Sequence, residues 1–217
     1  QFGFGATIDF DDVTHKGITN ISTDDVAVAQ ELGYVIKLVG DVREVESGIS
    51  AEVSPTFLPK NHPLASVNDV MNAVFVESIG IGESMYYGPG AGQKPTATSV
   101  LADIIRIARR LSDGNVGKPF NEFRRDLPLA NPADVKSNYY FALDTPDEKG
   151  KILHLSEIFN SEDISFEQVL QQKANGTTAR IVVITHAMSK TQLKAVTEKL
   201  EAAEDFTVVN TLKVLSN

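Results

Sequence analysis

Ala179-Arg180-Ile181-Val182-Val183-Ile184-Thr185-His186 is the most β-branched run in the chain, and the elements on either side of it decide the fold. A run of that composition reads as a strand. Upstream, Ile164 to Leu170 alternates Ile164 and Phe166 against Ser165 and Glu167, the period of a second strand, and Asn175-Gly176 marks the turn between the two. Further upstream, Tyr139 to Leu143 is a third strand, followed by the polar turn Asp144 to Gly150 and a short helix carrying Ile152, Leu155, Ile158 and Phe159. Downstream, Leu193, Val196 and Leu200 mark one face of a helix from Ser189 to about Ala203, and Phe206 to Leu215 closes as a strand. The order β-α-β-β-α-β over 138–217 is that of a ferredoxin-like unit.

Before it, residues 112–137 hold Asp113-Gly114, Gly117, Pro119, Pro128 and Asn131-Pro132, a density of breakers that reads as a linker. Phe120, Phe123, Leu127 and Leu129 give that linker an apolar side with which to pack. Residues 1–111 mix both element types. Ser22 with Thr23-Asp24-Asp25 reads as a capped helix start, and Gly33 closes that helix. Strands are expected at Tyr34–Val39, Ile49–Leu58, Val74–Val76 and Met85–Tyr87. A helix from about Thr96 to Leu111 carries Val100, Leu101, Ile104, Ile105, Ala108 and Leu111 as one stripe. The expected architecture is α+β: a mixed sheet with helices packed on one face, then the ferredoxin-like unit.

The chain has 217 residues, 42% of them apolar, and a net charge of −9. An acidic surface with no Lys/Arg run longer than two repels phosphate backbones and anionic membranes, so neither nucleic acid nor membrane is an expected partner. No stretch reaches the roughly 18 apolar residues of a membrane helix, and a cytoplasmic location is expected. Without cysteine there is no disulfide, thiolate nucleophile or Cys-ligated metal.

Most catalytic signatures fail on inspection. Gly3-Phe4-Gly5-Ala6 lacks the third glycine and the preceding strand of a dinucleotide fingerprint. No Gly-x-Ser-x-Gly elbow seats a nucleophile. His15, His62, His154 and His186 stand singly, and Asp9, Asp11 and Asp12 read as a solvated cluster, so no metal site is expected.

Two glycine turns remain. Gly88-Pro89-Gly90-Ala91-Gly92 bares its backbone directly before a helix, with Thr96 placed to cap it. Exposed amides there form a site for an anion such as a cofactor phosphate, although Lys94-Pro95 excludes a P-loop. Asp144, Asp147 and Gly150 lie in the turn before the first helix of the ferredoxin-like unit, where a small zwitterion could set its carboxylate on the helix and its ammonium on the acids.

Several stretches together resemble the homoserine dehydrogenase family. They are Gly17-Ile18-Thr19-Asn20-Ile21-Ser22, Glu31 to Leu38, Pro55-Thr56-Phe57-Leu58-Pro59-Lys60-Asn61-His62-Pro63-Leu64 through Asn68, Asn72 to Val76, Tyr87 to Gly92, and Pro95 to Ile104. Their order and spacing match that family over about 6–111, and 138–217 resembles the ACT regulatory module. The resemblance implies the C-terminal part of an oxidoreductase that interconverts L-aspartate 4-semialdehyde and L-homoserine with NADP or NAD, in threonine and methionine biosynthesis.

It implies three segments: 1–111 from the catalytic domain, 112–137 as linker, and 138–217 as ACT domain. Gly92, with Gly90 and Gly88, would face the cofactor, while Asp144, Asp147 and Gly150 would take a small amino-acid effector, threonine by family habit. In the family the acid–base lysine and the nucleotide-binding Rossmann domain lie upstream of the segment matched here. These residues alone are therefore expected to be inert and to hold no cofactor, with the Rossmann domain as partner and a homodimer or homotetramer as assembly. The alternative reading is a non-catalytic amino-acid-binding protein, in which both halves serve only regulation and assembly.

Overall fold

A computed structural model describes residues 1–115, 125–172 and 177–215. The elements in chain order are β1 (Thr14–His15), α1 (Thr23–Glu31), β2 (Tyr34–Val45), β3 (Gly48–Pro59), β4 (Met71–Ser78), β5 (Gly82–Pro89) and α2 (Gln93–Ser112). The second half continues with β6 (Lys136–Pro146), α3 (Lys151–Asn160), β7 (Phe166–Gln172), β8 (Thr178–Thr185), β9 (Met188–Ser189), α4 (Lys190–Ala202) and β10 (Thr207–Val214). They fall into two compact units, Gln1–Lys60 with Arg125–Asn217, and Asn61–Arg124. These units are cut differently from the segments 1–111, 112–137 and 138–217, because strand pairing binds the first sixty residues to the last ninety.

In the first unit the sheet runs β7-β8-β6-β10-β3-β1, with β2 paired along β3. Strands β7, β8, β6 and β10 pair antiparallel with one another in that order, which is the ferredoxin-like arrangement read from sequence. The turn expected at Asn175-Gly176 lies outside the described residues. The β2–β3 hairpin pairs twelve residues with twelve, from Tyr34 opposite Pro59 to Val45 opposite Gly48. The free edge of β3 is shared: β1 lies parallel to Glu52–Val53, and β10 lies parallel to Thr56–Phe57.

Both faces of this sheet are covered. Phe141 and Leu143 point to a core with Leu155 and Phe159 of α3 and Val196 and Leu200 of α4. The alternate residues Tyr140 and Ala142 point the other way, to Val28 and Ala29 of α1 together with Phe57 and Leu212. Burial of a phenylalanine such as Phe57, Phe141 or Phe159 is worth about 1.5–3 kcal/mol each, so the two layers are held by comparable means. This two-sided burial explains why Tyr139 to Leu143 reads as an unbroken apolar run.

α1 is docked by a polar hub. Ser22 caps the helix through the Asp25 amide, and the Asp25 carboxylate accepts from the Ser22 amide and hydroxyl in return. The same carboxylate accepts from the Tyr140 hydroxyl at 2.9 Å and from the Asn210 amide at 3.0 Å. Burial alone would raise the Asp25 carboxyl, but the bonds from Ser22, Asn210 and Tyr140 outweigh it and hold the carboxyl below its ordinary range.

Beyond the undescribed part of 112–137, the chain lies against the start of β3. The Ile49 amide donates to the Pro128 carbonyl at 2.8 Å, and the Ala130 amide donates back to Ile49 at 2.9 Å. Gly48 has φ +142, and a Cβ there would stand 2.1 Å from the Pro128 oxygen, so only glycine lets the two backbones approach. Phe120 and Phe123 lie outside the described residues. Arg125 forks onto Glu44 with contacts of 2.8 and 2.5 Å.

The second unit is a hairpin and a helix. β4 and β5 pair with each other in a two-stranded sheet of their own, from Met71 opposite Pro89 to Ser78 opposite Gly82. Just before it, His62 caps a single 3-10 turn, accepting from the Leu64 amide at 3.2 Å, and meets the Phe75 ring edge-on. α2 has twenty residues, and its stripe of Val100, Leu101, Ile104 and Ile105 is exposed.

Candidate functional site

The glycine turn before α2 differs from the sequence reading in one respect. Thr96 is not the cap: the helix begins three residues earlier at Gln93, Gly92 is the N-cap, and no side chain satisfies the first amides. The Thr96 amide is already spent on the Gly92 carbonyl at 3.1 Å. Proline at the third helical position has no amide to give, so the preceding residues can enter the helix without conflict, which the placement of a Thr cap overlooked. The bare start of a twenty-residue helix carries partial positive charge, and its first turn contains no acid to offset it.

The three glycines have different reasons to be there. Gly92 has φ +124, a conformation side chains rarely adopt, with Pro95 at 3.4 Å from where a Cβ would stand. Gly90 donates its amide to the Val70 carbonyl at 2.8 Å, and a Cβ there would run into the Asn72 side-chain amide at 1.5 Å. Gly88 lies inside β5 opposite Asn72, with open space around it. Asn72, across the hairpin from both, is the partner that inspection of the glycines alone does not find. The turn can therefore present backbone amides to an anion, which fits a phosphate-bearing cofactor.

The second candidate lies at the β6–α3 turn. Gly150 takes a left-handed conformation, φ +93, as the uncapped N-cap of α3. Asp144 is engaged by Arg180 in a two-pronged pair at 2.8 and 3.1 Å, across the β6–β8 register. The Asp147 amide donates to the Thr177 carbonyl at 3.0 Å. Beside them, the buried Thr145 hydroxyl has no hydrogen-bond partner among the described residues. In the first turn of α3, Lys151 and His154 both grip Asp205, which lowers the Asp205 carboxyl chiefly through the Lys151 hydrogen bond.

Asp9 caps a single 3-10 turn at the surface, where Asp11 and Asp12 are exposed beside it. Among the described residues no group of three or more His, Asp or Glu could hold a metal, and no helix is long and apolar enough to cross a membrane.

Comparison with known proteins meets this geometry from outside. The profile of the homoserine dehydrogenase family, "Homoserine dehydrogenase", matches residues 1–105. A homoserine dehydrogenase of Lactococcus lactis is 58% identical over 217 residues, covering 100% of this chain and 51% of the relative. One from Bacillus subtilis is 34% identical over 206 residues, 94% of this chain and 48% of its own length. The crystal structure of a homoserine dehydrogenase from Thiobacillus denitrificans superposes with a TM-score of 0.87 at 30% identity, over 98% of this chain and 50% of that one. The chain thus spans about half the length of the relatives it matches. With sequence likeness running from end to end and the same fold throughout, these 217 residues belong to the homoserine dehydrogenase family.

Proposed function

We propose that this chain supplies one wall of the active-site cleft and the regulatory unit of an NAD(P)-dependent homoserine dehydrogenase, which interconverts L-aspartate 4-semialdehyde and L-homoserine. The observation that carries the reading is the uncapped start of α2 behind three glycines, inside the segment matched by the family profile. NAD(P), when bound, supplies or accepts the hydride. The part played by these residues is positional. Gly92 keeps the helix start bare, the first amides of α2 and the helix dipole would hold the negative oxygens of the cofactor, and Gly90 seats the turn against Asn72.

The acid–base group and the nucleotide-binding domain are placed on the part of the enzyme outside these 217 residues, so this chain alone holds a surface and not a reaction. Replacing Gly92 with valine in the whole enzyme is expected to raise KM for the cofactor about tenfold, with kcat less affected. Steady-state kinetics over cofactor concentration check this, and an unchanged KM counts against the glycine turn.

The ferredoxin-like unit is read as an ACT domain taking a small amino acid, threonine, at the β6–α3 turn. Gly150 at an uncapped helix start and the unpartnered Thr145 hydroxyl support that reading. Because Asp144 already carries Arg180, the ammonium of the effector falls to Asp147. Calorimetric titration with L-threonine is expected to show binding that Asp147→Asn weakens; absence of heat at millimolar threonine contradicts it. The pairing of such units into a homodimer or homotetramer in the soluble cell interior completes the proposal.

A further inference from the structure

A cavity of about 520 Å³ lies where the ferredoxin-like unit meets the strands of the N-terminal part, away from the β6–α3 turn. Its wall includes Lys16 and Asn20, Glu52 and Pro55 of β3, and Leu193 and Thr197 of α4. The volume falls within the range of small-molecule sites, and apolar and polar groups share the lining, as such sites require.

The charges around it do not balance. Asp41 is met by Arg43 at 2.8 Å and by Lys213, and Glu52 by Lys190 at 2.7 Å and again by Lys213. Three cations therefore serve two carboxylates, in a protein whose net charge is −9. Lys16 adds a fourth cation. Its ammonium rests on the Thr211 carbonyl at 2.8 Å and has no ion-pair partner among the described residues. Burial lowers the Lys16 ammonium, and the nearby Asp25 only partly offsets that. Among the residues that line the cavity itself, Lys16, Lys190 and Lys213 stand against Glu52 and the exposed Glu201, and Lys16 alone of the three lysines has no ion-pair partner among the described residues. Thr211, on the same wall, has a hydroxyl with no hydrogen-bond partner among the described residues.

We infer that this cavity is a binding site for a small organic monocarboxylate, its head on Lys16 and its apolar body against Pro55 and Leu193. One lysine head without an ion-pair partner matches a monoanion better than a phosphate, and a charge-assisted hydrogen bond to an ammonium is the strong kind. A ligand there touches β3 and α4 together, so its occupancy ties the regulatory unit to the strands on which the rest of the fold is built.

The test is calorimetric titration of the purified protein with butyrate, with inorganic phosphate and butylamine as comparison probes. Butyrate is expected to bind, and Lys16→Met to weaken it about tenfold or more, the loss of one charge-assisted bond. Thr197→Phe, which fills the space without removing charge, is expected to abolish binding, with circular dichroism confirming that both variants fold. No butyrate binding, butyrate affinity unchanged by either folded variant, or phosphate preferred over butyrate would each overturn the inference. The readout is independent of dehydrogenase activity, so it stands or falls apart from the proposed function.

Discussion

Replacing Asp25 with alanine is expected to lower the free energy of unfolding by about 3 kcal/mol. About 1 kcal/mol is the lost return half of the capping box, the carboxylate's bonds from the Ser22 amide and hydroxyl, and the rest comes from stranding the Tyr140 hydroxyl and the Asn210 amide without their acceptor. Tyr140→Phe, which removes one donor and leaves the carboxylate its other bonds, is expected to cost only about 1 kcal/mol. The carboxyl is held below its ordinary value of 3.8 in the folded protein. Its contribution is therefore complete above that value and is lost as pH falls through the lower, folded one. The gap between wild type and Asp25→Asn should narrow on acidification. Urea unfolding at neutral pH and again at acid pH measures both effects, and a pH-independent gap contradicts the ionised hub.

Lys213→Met should be as damaging for a different reason. Lys213 is 5% exposed and its ammonium bridges Asp41 on β2 and Glu52 on β3. Removing one partner of a buried pair leaves the other charges uncompensated, at a cost of about 3 kcal/mol or more. Arg43 and Lys190 remain as second partners, which keeps the loss near the lower end. Burial by itself would raise both carboxyls, yet the Lys213 charge and its neighbours hold them below their ordinary range. In the variant they should move up, so its stability falls at a higher pH than that of the wild type. Adding Glu52→Gln to Lys213→Met is expected to recover part of the loss, since it removes a stranded charge. No recovery would mean that the ion pairs are not what holds the strands there.

The order of elements was legible because each has a local cause. Ser22 and Asp25 form the capping box their spacing promised, Gly33 ends α1 with φ +84, and the alternation around Phe166 is a strand. What stayed hidden depends on distant partners. Nothing near Thr56 says that β10 will lie beside it, since two parallel pairs join residues more than 150 positions apart. Asp25 was readable as part of a capping box but not as the acceptor for Tyr140 and Asn210. Gly48 stands just before the expected strand Ile49–Leu58, and nothing near it in sequence announces Pro128 against its backbone.

The placement of one helix stayed hidden for a similar reason. α1 belongs in sequence to the N-terminal block, yet it covers the second face of the ferredoxin-like sheet. The unbroken apolar run Tyr139 to Leu143 held the clue, because a one-sided strand would have alternated. At the candidate sites, the glycines and the acids of the β6–α3 turn were visible as types. The partners that define them, Asn72 behind Gly90 and Arg180 on Asp144, are set by strand register and could not be read from spacing.

The most direct trial of the account is a spectrophotometric assay for homoserine-dependent reduction of NADP and NAD. It should be run on these 217 residues alone and on a chain that also carries the remainder of the enzyme. The longer chain should reduce cofactor and the 217 residues should not. Turnover by the 217 residues by themselves, or none by the longer chain, would contradict the claim that this segment shapes a dehydrogenase cleft without performing its chemistry.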